Sequence, residues 1–429
     1  MLPRASPGRV VYVTYDGLAD PLGASQVVPY VRGLAQRGWT FDLVSFEKPG
    51  APVCFRKPLA EGVAWTALRY HRTPTVPATG FDLLQAGFVL ALNELFQRAD
   101  LVHARALVPA AMSLPLATAA RVPLLFDTRS FWPEEKLDQG HWGRDSAVYR
   151  AAKSIERRAL RRARAVTTLT LDARSFYRNE YAYRGELRAP IQVIPTCADL
   201  DAFAPAARAA RDPELGDALV LCYVGSLGHW YLEDEMAAFY AAFRRAAGVT
   251  TKLLVVTRQD VSGFREKLRL HGLGGDLVHR SATRAEMPGW IRQADASMCF
   301  IRPQLSKRAS APTKLGELLG CGVPVAVNDI GDLARVVSGS SAAVLVDDLS
   351  SPASLAHAAA ELVAAARRPD TVREARALAE RWYSLTDAVD AYDRVYRGML
   401  GLAGGSVTDE PWPRAPGISA APGKRDASG

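Results

Sequence analysis

The segment ASMCFIRPQLSKRASAPTKLGELLGCGVPVAVN, residues 296–328, decides how the chain is read. ASMCFI is a short apolar run of the length of a buried strand. RPQLSKRAS is polar and follows it as a loop. A helix is expected to start near Ser310 or Ala311. Serine caps helices well, and Pro312 suits a first turn, where a missing N–H leaves nothing unpaired. Gly320 and Gly322 end that helix, and VPVAVN is the next strand. Strand, helix and strand in this order form a βαβ unit with parallel strands.

The same alternation runs outward in both directions. VVYVTY (10–15), FDLVSF (41–46), LVHARA (101–106), PLLFDT (123–128) and AVTTLT (165–170) read as strands. A helix is expected from about Ser25 to Arg37, closed by Gly38. LVLCYVGS (219–226), KLLVVT (252–257) and LVHR (277–280) repeat the plan in the second half. IQVIPTCADLDAFAP (191–205), with Pro195 and Pro205, reads as a connector between the halves. The expected fold is therefore α/β, two Rossmann-like doubly wound domains facing across a cleft. Residues 1–197 form the first domain and 198–383 the second. A C-terminal helix at about 384–400 crosses back to the first half. Residues 401–429, rich in Gly, Pro, Ser and Ala, read as a disordered tail. Ligands in such sheets bind beyond the carboxyl ends of the strands, so the strand-to-helix loops carry the site.

Composition narrows the classes. A chain of 429 residues is long enough for two cores. Its 53 basic and 45 acidic residues leave a net charge of +8, which suits an anionic ligand or surface. Only nine of the basic residues are Lys, so Lys307 and Lys314, seven apart, stand out more than any arginine. The clustered aromatics and basic strand stripes of a nucleic-acid binder are absent. Five dispersed cysteines without a C-x-x-C pair predict reduced thiols and a cytoplasmic protein. Arg9 leads straight into a strand, so no signal-peptide core is read. The longest uncharged run, Ala106–Ala120, is too short to cross a membrane and holds Pro109 and Pro115. Arg150, Lys153, Arg157, Arg161 and Arg164 share one helix face that fits either anionic lipid or solvent.

Several loops carry chemistry. The helix start after Ser310 offers free N–H groups and a dipole to an anion, with Lys307 and Arg308 just before it. Glu317 shares a face with Thr313 and Lys314 and can accept from a diol, or simply pair with Lys314. Gly225 and Gly228 allow close backbone approach in the turn YVGSLGHW. Gly17 and Gly23 permit a flexible loop over the cleft, with Ser25 as a cap. That loop is not G-x-G-x-x-G, so no dinucleotide cofactor is expected. FDTRSFWPEE (126–135) brings Asp127, Arg129, Glu134 and Glu135 to a strand end, with Trp132 able to stack on a sugar. His103 lies in LVHARA and is read as buried and structural, or catalytic. Asp199-Leu200-Asp201 has metal-site spacing but sits in the connector, so no metal is expected.

Taken together, YDGLADPLGASQVVPYVRGLAQRG, FDTRSFWPEE, IPTCADLDAF, YVGSLGHWYLEDEM and FIRPQLSKRASAPTKLGELLGCGVPV resemble the family 4 glycosyltransferases of the GT-B fold. The resemblance is nearest to the branch that assembles exopolysaccharide and lipopolysaccharide. It implies a retaining transferase that takes a sugar from a nucleotide-diphosphate donor to a growing, lipid-linked glycan, at the inner face of the plasma membrane. It implies that Glu317, the second Glu of the family's E-x7-E motif, binds the donor ribose. Ala309 stands where the first Glu would fall, which passes the sugar contact to the backbone of Ala309, Ser310 and Ala311. The turn at Gly225 and Ser226 lacks the family's Arg and Lys, which moves the phosphate role to Lys307, Arg308 and Lys314. Asp127 and Arg129 are expected to act on the acceptor or the reacting sugar, with Gly17, Gly23, His103 and Trp132 on the acceptor side. A nucleotide-sugar epimerase of the same fold is the alternative enzyme, though no convincing base set is found. The missing Glu also leaves room for a silent nucleotide-sugar sensor.

Overall fold

The computed structural model describes residues 6–73, 75–182, 184–206, 211–407 and 412–413. The first half holds β1 (Arg9–Thr14), β2 (Thr40–Glu47), β3 (Cys54–Ala60), β4 (Val63–Arg69), β5 (Leu101–Arg105), β6 (Leu124–Asp127), β7 (Ala165–Thr168) and β8 (Ile191–Val193). They form one sheet in the order β3-β4-β2-β1-β5-β6-β7-β8. Every pairing is parallel except that of the edge strand β3 with β4. The second half holds β9 (Leu219–Val224), β10 (Thr251–Val256), β11 (Leu277–Arg280), β12 (Ala296–Cys299), β13 (Val325–Asn328) and β14 (Ala343–Val346). Their order is β11-β10-β9-β12-β13-β14, all parallel. The interior of β1 and of β9 is buried on both faces, which is why those strands read as unbroken apolar runs. The strand order reverses between β1 and β5 and between β9 and β12. Those two switch points open the loops that face the cleft.

Four elements differ from the sequence expectation. β3 and β4 were not expected. CFRKPLA carries two cations and Pro58, which an edge strand tolerates and a buried one does not. β14 has only four residues and gives no period to detect. The helix expected from Ser25 begins at Pro21, breaks at Val27 and resumes over Val28–Gln36. Gly23 therefore lies inside a helix, not in a flexible loop. A Cβ there would stand 2.0 Å from the carbonyl oxygen of Gly17, so glycine permits close packing. Ser25 donates to the Pro21 carbonyl at 2.7 Å and caps nothing.

The C-terminal helix Leu385–Met399 lies on the first half, against Val28–Gln36. The Trp39 indole donates to Asp393 at 2.7 Å, and the rings of Tyr30 and Tyr392 meet edge to face at 5.9 Å. The preceding helix, Thr371–Tyr383, packs on Thr313–Gly320 of the second half. One apolar core consequently runs through both halves, from Tyr12 and Leu43 to Val325 and Leu318. The expected disordered tail needs a correction at its start. Ser406 donates to the Arg394 carbonyl at 3.1 Å, and the buried Trp412 indole donates to that of Trp382 at 3.0 Å. The rest of that tail, 408–411 and 414–429, lies outside the described residues.

Candidate functional site

The second half presents a short helical turn, Leu305–Ala309, and then the helix Thr313–Gly320. Pro312 stands at the N-cap with no side-chain cap, so Ser310 lies in the extended approach to the helix and not at its cap. A cavity of about 210 Å³ opens between the halves here. Gln26, Arg129 and Thr196 line it from the first half, and Trp230, Lys307 and Ser310 from the second.

Lys314 is the most telling of the expected donor residues. Its Nζ lies 3.9 Å from the ring centre of Tyr231 and 4.5 Å from that of Tyr223, and donates to the Tyr223 hydroxyl at 3.3 Å. Among the described residues it pairs with no carboxylate. It also fills the Gly225 turn, where an added Cβ would meet Nζ at 2.8 Å. Gly225 has φ +110°, and the Ser226 carbonyl accepts from the Tyr223 hydroxyl. The turn lacks a basic residue of its own, and the facing helix supplies one. Glu317 is buried beside the Arg284 guanidinium, which stacks 4.6 Å over Phe203; the alternative Lys314 partner is not used.

The other two expected phosphate cations differ. Lys307 lines the cavity, 3.7 Å over the Trp230 ring, and pairs with Glu135 of the first half at 2.8 Å. Arg308 turns away from the cavity, and its Nε donates to Asp172 at 2.7 Å. Further polar contacts cross the cleft. Gln26 donates to the Thr313 hydroxyl at 3.0 Å, and Thr196 donates to the Ala311 carbonyl. Asp332 accepts from the N–H groups of Leu171 and Asp172 at 2.7 and 3.2 Å. Ala309 is 1% exposed within the apolar core of the first half. A Glu at 309 would have to bury its carboxylate there, so alanine is what lets this loop close.

On the opposite wall, Arg129 sits at φ +56°, a left-handed conformation that costs a non-glycine residue. Its guanidinium donates to Gln26 at 3.1 Å, lies 3.6 Å from Asp127, and leaves its Nε without a partner. Arg105 donates to the same Gln26 oxygen at 2.8 Å and pairs with Asp16. Burial works against the Arg129 charge, but Asp127 and three tyrosines outweigh it and raise its pKa. Burial alone would lift the Asp127 carboxyl; Arg129 and His103 hold it below its usual range instead.

Asp127 does not line the cavity. It accepts from Thr167 at 3.0 Å and Tyr392 at 3.3 Å, and lies 3.4 Å from His103. Burial lowers the His103 pKa, and its Nδ1 meets the Tyr396 hydroxyl at 2.6 Å. Both residues hold Arg129 and the C-terminal helix in place. Trp132 packs edge-on to Trp142 at 5.1 Å and does not reach the cavity. Gly17 gives room to Glu47, whose carboxylate accepts from the Leu18 N–H at 2.7 Å. The sequence reading missed Gln26, Trp230 and Tyr231 as contributors. Asp199 caps the turn to Asp201 and Ala202 at 3.1 Å, and no metal-holding cluster occurs among the described residues.

Residues 23–197 match the glycosyl transferase 4-like domain, and residues 218–365 match the glycosyl transferases group 1 domain. A sucrose-phosphate synthase from Thermosynechococcus elongatus superposes with a TM-score of 0.69 at 16% identity, covering 92% of this chain and 99% of that one. WaaG, a glycosyltransferase involved in lipopolysaccharide biosynthesis, gives 0.63 at 16% identity, with 89% and 98% covered. HepE of Anabaena, solved with UDP and glucose, gives 0.60 at 13% identity, with 90% and 98% covered. No curated protein sequence matches the chain.

Proposed function

This chain belongs to the family 4 glycosyltransferases of the GT-B fold, and from that premise we propose that it transfers a sugar, with retention, from a nucleoside-diphosphate sugar to a lipid-linked glycan of the cell surface. The observation that carries the reading is Lys314. Among the described residues it is a cation without a carboxylate, held at a helix start beside a glycine turn and against the ring of Tyr231, which lines the cavity that Arg129 also lines. An anionic diphosphate completes that arrangement.

In the reaction, the acceptor hydroxyl oxygen bonds to the anomeric carbon as the bond from that carbon to the phosphate oxygen breaks. The hydroxyl proton passes to the departing phosphate on the same face. Charge grows on the leaving diphosphate, and Lys314, Lys307 and Arg129 are the groups that meet it. Glu317 accepts from the ribose diol, with Arg284 fixing its carboxylate. Trp230 offers a face to the sugar. UDP-sugars are the first donors to try, because UDP is the nucleotide seen in HepE.

Thermal melts against UDP-, GDP- and ADP-sugars test the donor. A ligand at 100 times its Kd adds about 2.7 kcal/mol of stability. A panel in which none shifts the melt removes the reading. Transfer of radiolabelled sugar into the glycolipid fraction of membranes tests the acceptor. Glu317→Gln is expected to weaken donor binding by about 1–3 kcal/mol with the fold intact. Calorimetry with the matched nucleoside diphosphate measures it, and unchanged affinity would remove the ribose role.

A further inference from the structure

The helix Thr75–Gln97 covers the sheet of the first half and has an outer face of unusual composition. Pro77, Phe81, Leu84, Phe88 and Ala91 fall on that face at helical spacing, and all are exposed. Phe81 is 54% exposed, Leu84 76% and Phe88 67%. The inner face buries Ala78, Asp82, Ala86, Val89 and Leu90. Between Pro77 and Asn93 the only ionisable residue is Asp82, and it points inward. A helix on a soluble surface normally turns charge outward, so a wholly apolar outer stripe marks a docking face.

Neighbouring elements extend it. Val53 and Phe55, 46% and 60% exposed, lie at the start of β3, and Cys54 pairs opposite Ala67 near the end of β4. β4 ends at Arg69 and leads into the helix, so both apolar groups share one rim of the sheet. Among the described residues, all three phenylalanines of the strongly exposed apolar set belong to this rim. The surface is held firmly. Asp82 accepts from the Tyr15 hydroxyl at 2.7 Å and meets His71 Nδ1 at 2.6 Å, and the His71 ring meets Phe81 edge to face at 5.0 Å.

We propose that this rim seats the enzyme on an anionic lipid bilayer. Lys57, Arg69 and Arg72 are exposed around it. Apolar side chains entering the headgroup boundary, ringed by cations, match an interface of lipid tails under anionic heads. A second copy is the poorer occupant, because face-to-face pairing would bring the same cations against one another. The basic helix Ala147–Arg162 keeps Arg150, Arg158 and Arg161 exposed but shows no exposed large apolar side chain to enter a bilayer, and several of its cations are paired. Lys153 is held by Glu134 at 2.9 Å, Arg161 by Glu186 at 3.0 Å, and Arg162 by the Val122 carbonyl at 3.1 Å. No described helix is long and apolar enough to cross a membrane, so the contact is peripheral.

The proposal deepens the lipid-linked acceptor reading by naming the surface on which that acceptor is met. The test is sedimentation of the full chain with phosphatidylcholine vesicles, with and without phosphatidylglycerol. Wild type is expected to pellet with the anionic vesicles, and salt is expected to weaken this. Phe81→Ser, Leu84→Ser and Phe88→Ser together are expected to lower the partition coefficient about tenfold or more. Lys57→Gln, Arg69→Gln and Arg72→Gln together are expected to remove the salt-sensitive part. All six positions are exposed, so melts of both variants are expected to match wild type. Failure of wild type to pellet, or equal pelleting of the serine variant, overturns the proposal. So does a wild-type dimer in sedimentation velocity that the serine variant dissolves, since the face then belongs to a second copy. Donor titration without vesicles is run in parallel. It reports on the transferase reading separately from the bilayer contact.

Discussion

Lys314→Met is expected to lower kcat/KM for sugar transfer by about 100- to 1,000-fold while leaving the melting temperature within a few degrees of wild type. The two halves of this expectation come from one geometry. Lys314 has no carboxylate among the described residues, so its removal strands no buried anion. Methionine keeps the bulk of the stem against Tyr223 and Tyr231. What is lost is the attraction of the two rings for the cation, worth about 0.5–2 kcal/mol, against the relief of a charge held out of water. In transfer no such offset exists. The leaving diphosphate gains charge as the anomeric bond breaks, and a fixed cation in a half-buried site acts mainly on that charge. Steady-state kinetics beside a thermal melt checks both. A variant that melts much lower and keeps its rate per folded molecule would make Lys314 a packing residue.

Asp127→Asn is expected to show the reverse pattern. The carboxylate is buried and balances Arg129 at 3.6 Å. Neutralising it leaves a buried guanidinium uncompensated, a loss of about 3–5 kcal/mol. In a domain of this size the melting temperature falls by roughly 10 °C. Adding Arg129→Met removes the orphan charge, and most of the stability is expected to return while transfer does not. The lowered Asp127 pKa fixes the pH course. Its contribution is complete above the unfolded carboxyl value of about 3.9 and is lost as pH falls below it, so the single variant has a flatter acid limb. A single variant that melts like wild type, or a double variant no more stable than the single, would separate Asp127 from Arg129.

These two residues also show how far the sequence could be read. The βα alternation was visible because parallel strands buried on both faces leave long apolar runs, as in VVYVTY. The helix Thr313–Gly320 was visible because Gly, Pro and Glu punctuate it. Trp132 and Trp230 look alike in the sequence, each an aromatic shortly after a strand end. Only packing assigns Trp132 to Trp142 and Trp230 to the cavity. Asp127 and Arg129 lie two residues apart, yet the left-handed backbone at Arg129 sends one side chain to the cavity and leaves the other behind it. Lys314 was legible as a cation near a helix start. Its setting between two tyrosine rings and a glycine turn depends on β9 lying beside β12, which no local pattern states.

The crossing of the C-terminal helix has a consequence for how such enzymes can be recombined. Tyr392 and Tyr396 touch Asp127 and His103, so the last helix is part of the first half's interior. A chimera that took residues 198–399 from a relative to change donor preference would import a foreign lid over that interior. A graft that stops after Tyr383 and keeps Leu385–Met399 from this chain respects the boundary that the contacts draw. Any exchange of the second half is held to that seam, because the first half and Leu385–Met399 share one interior.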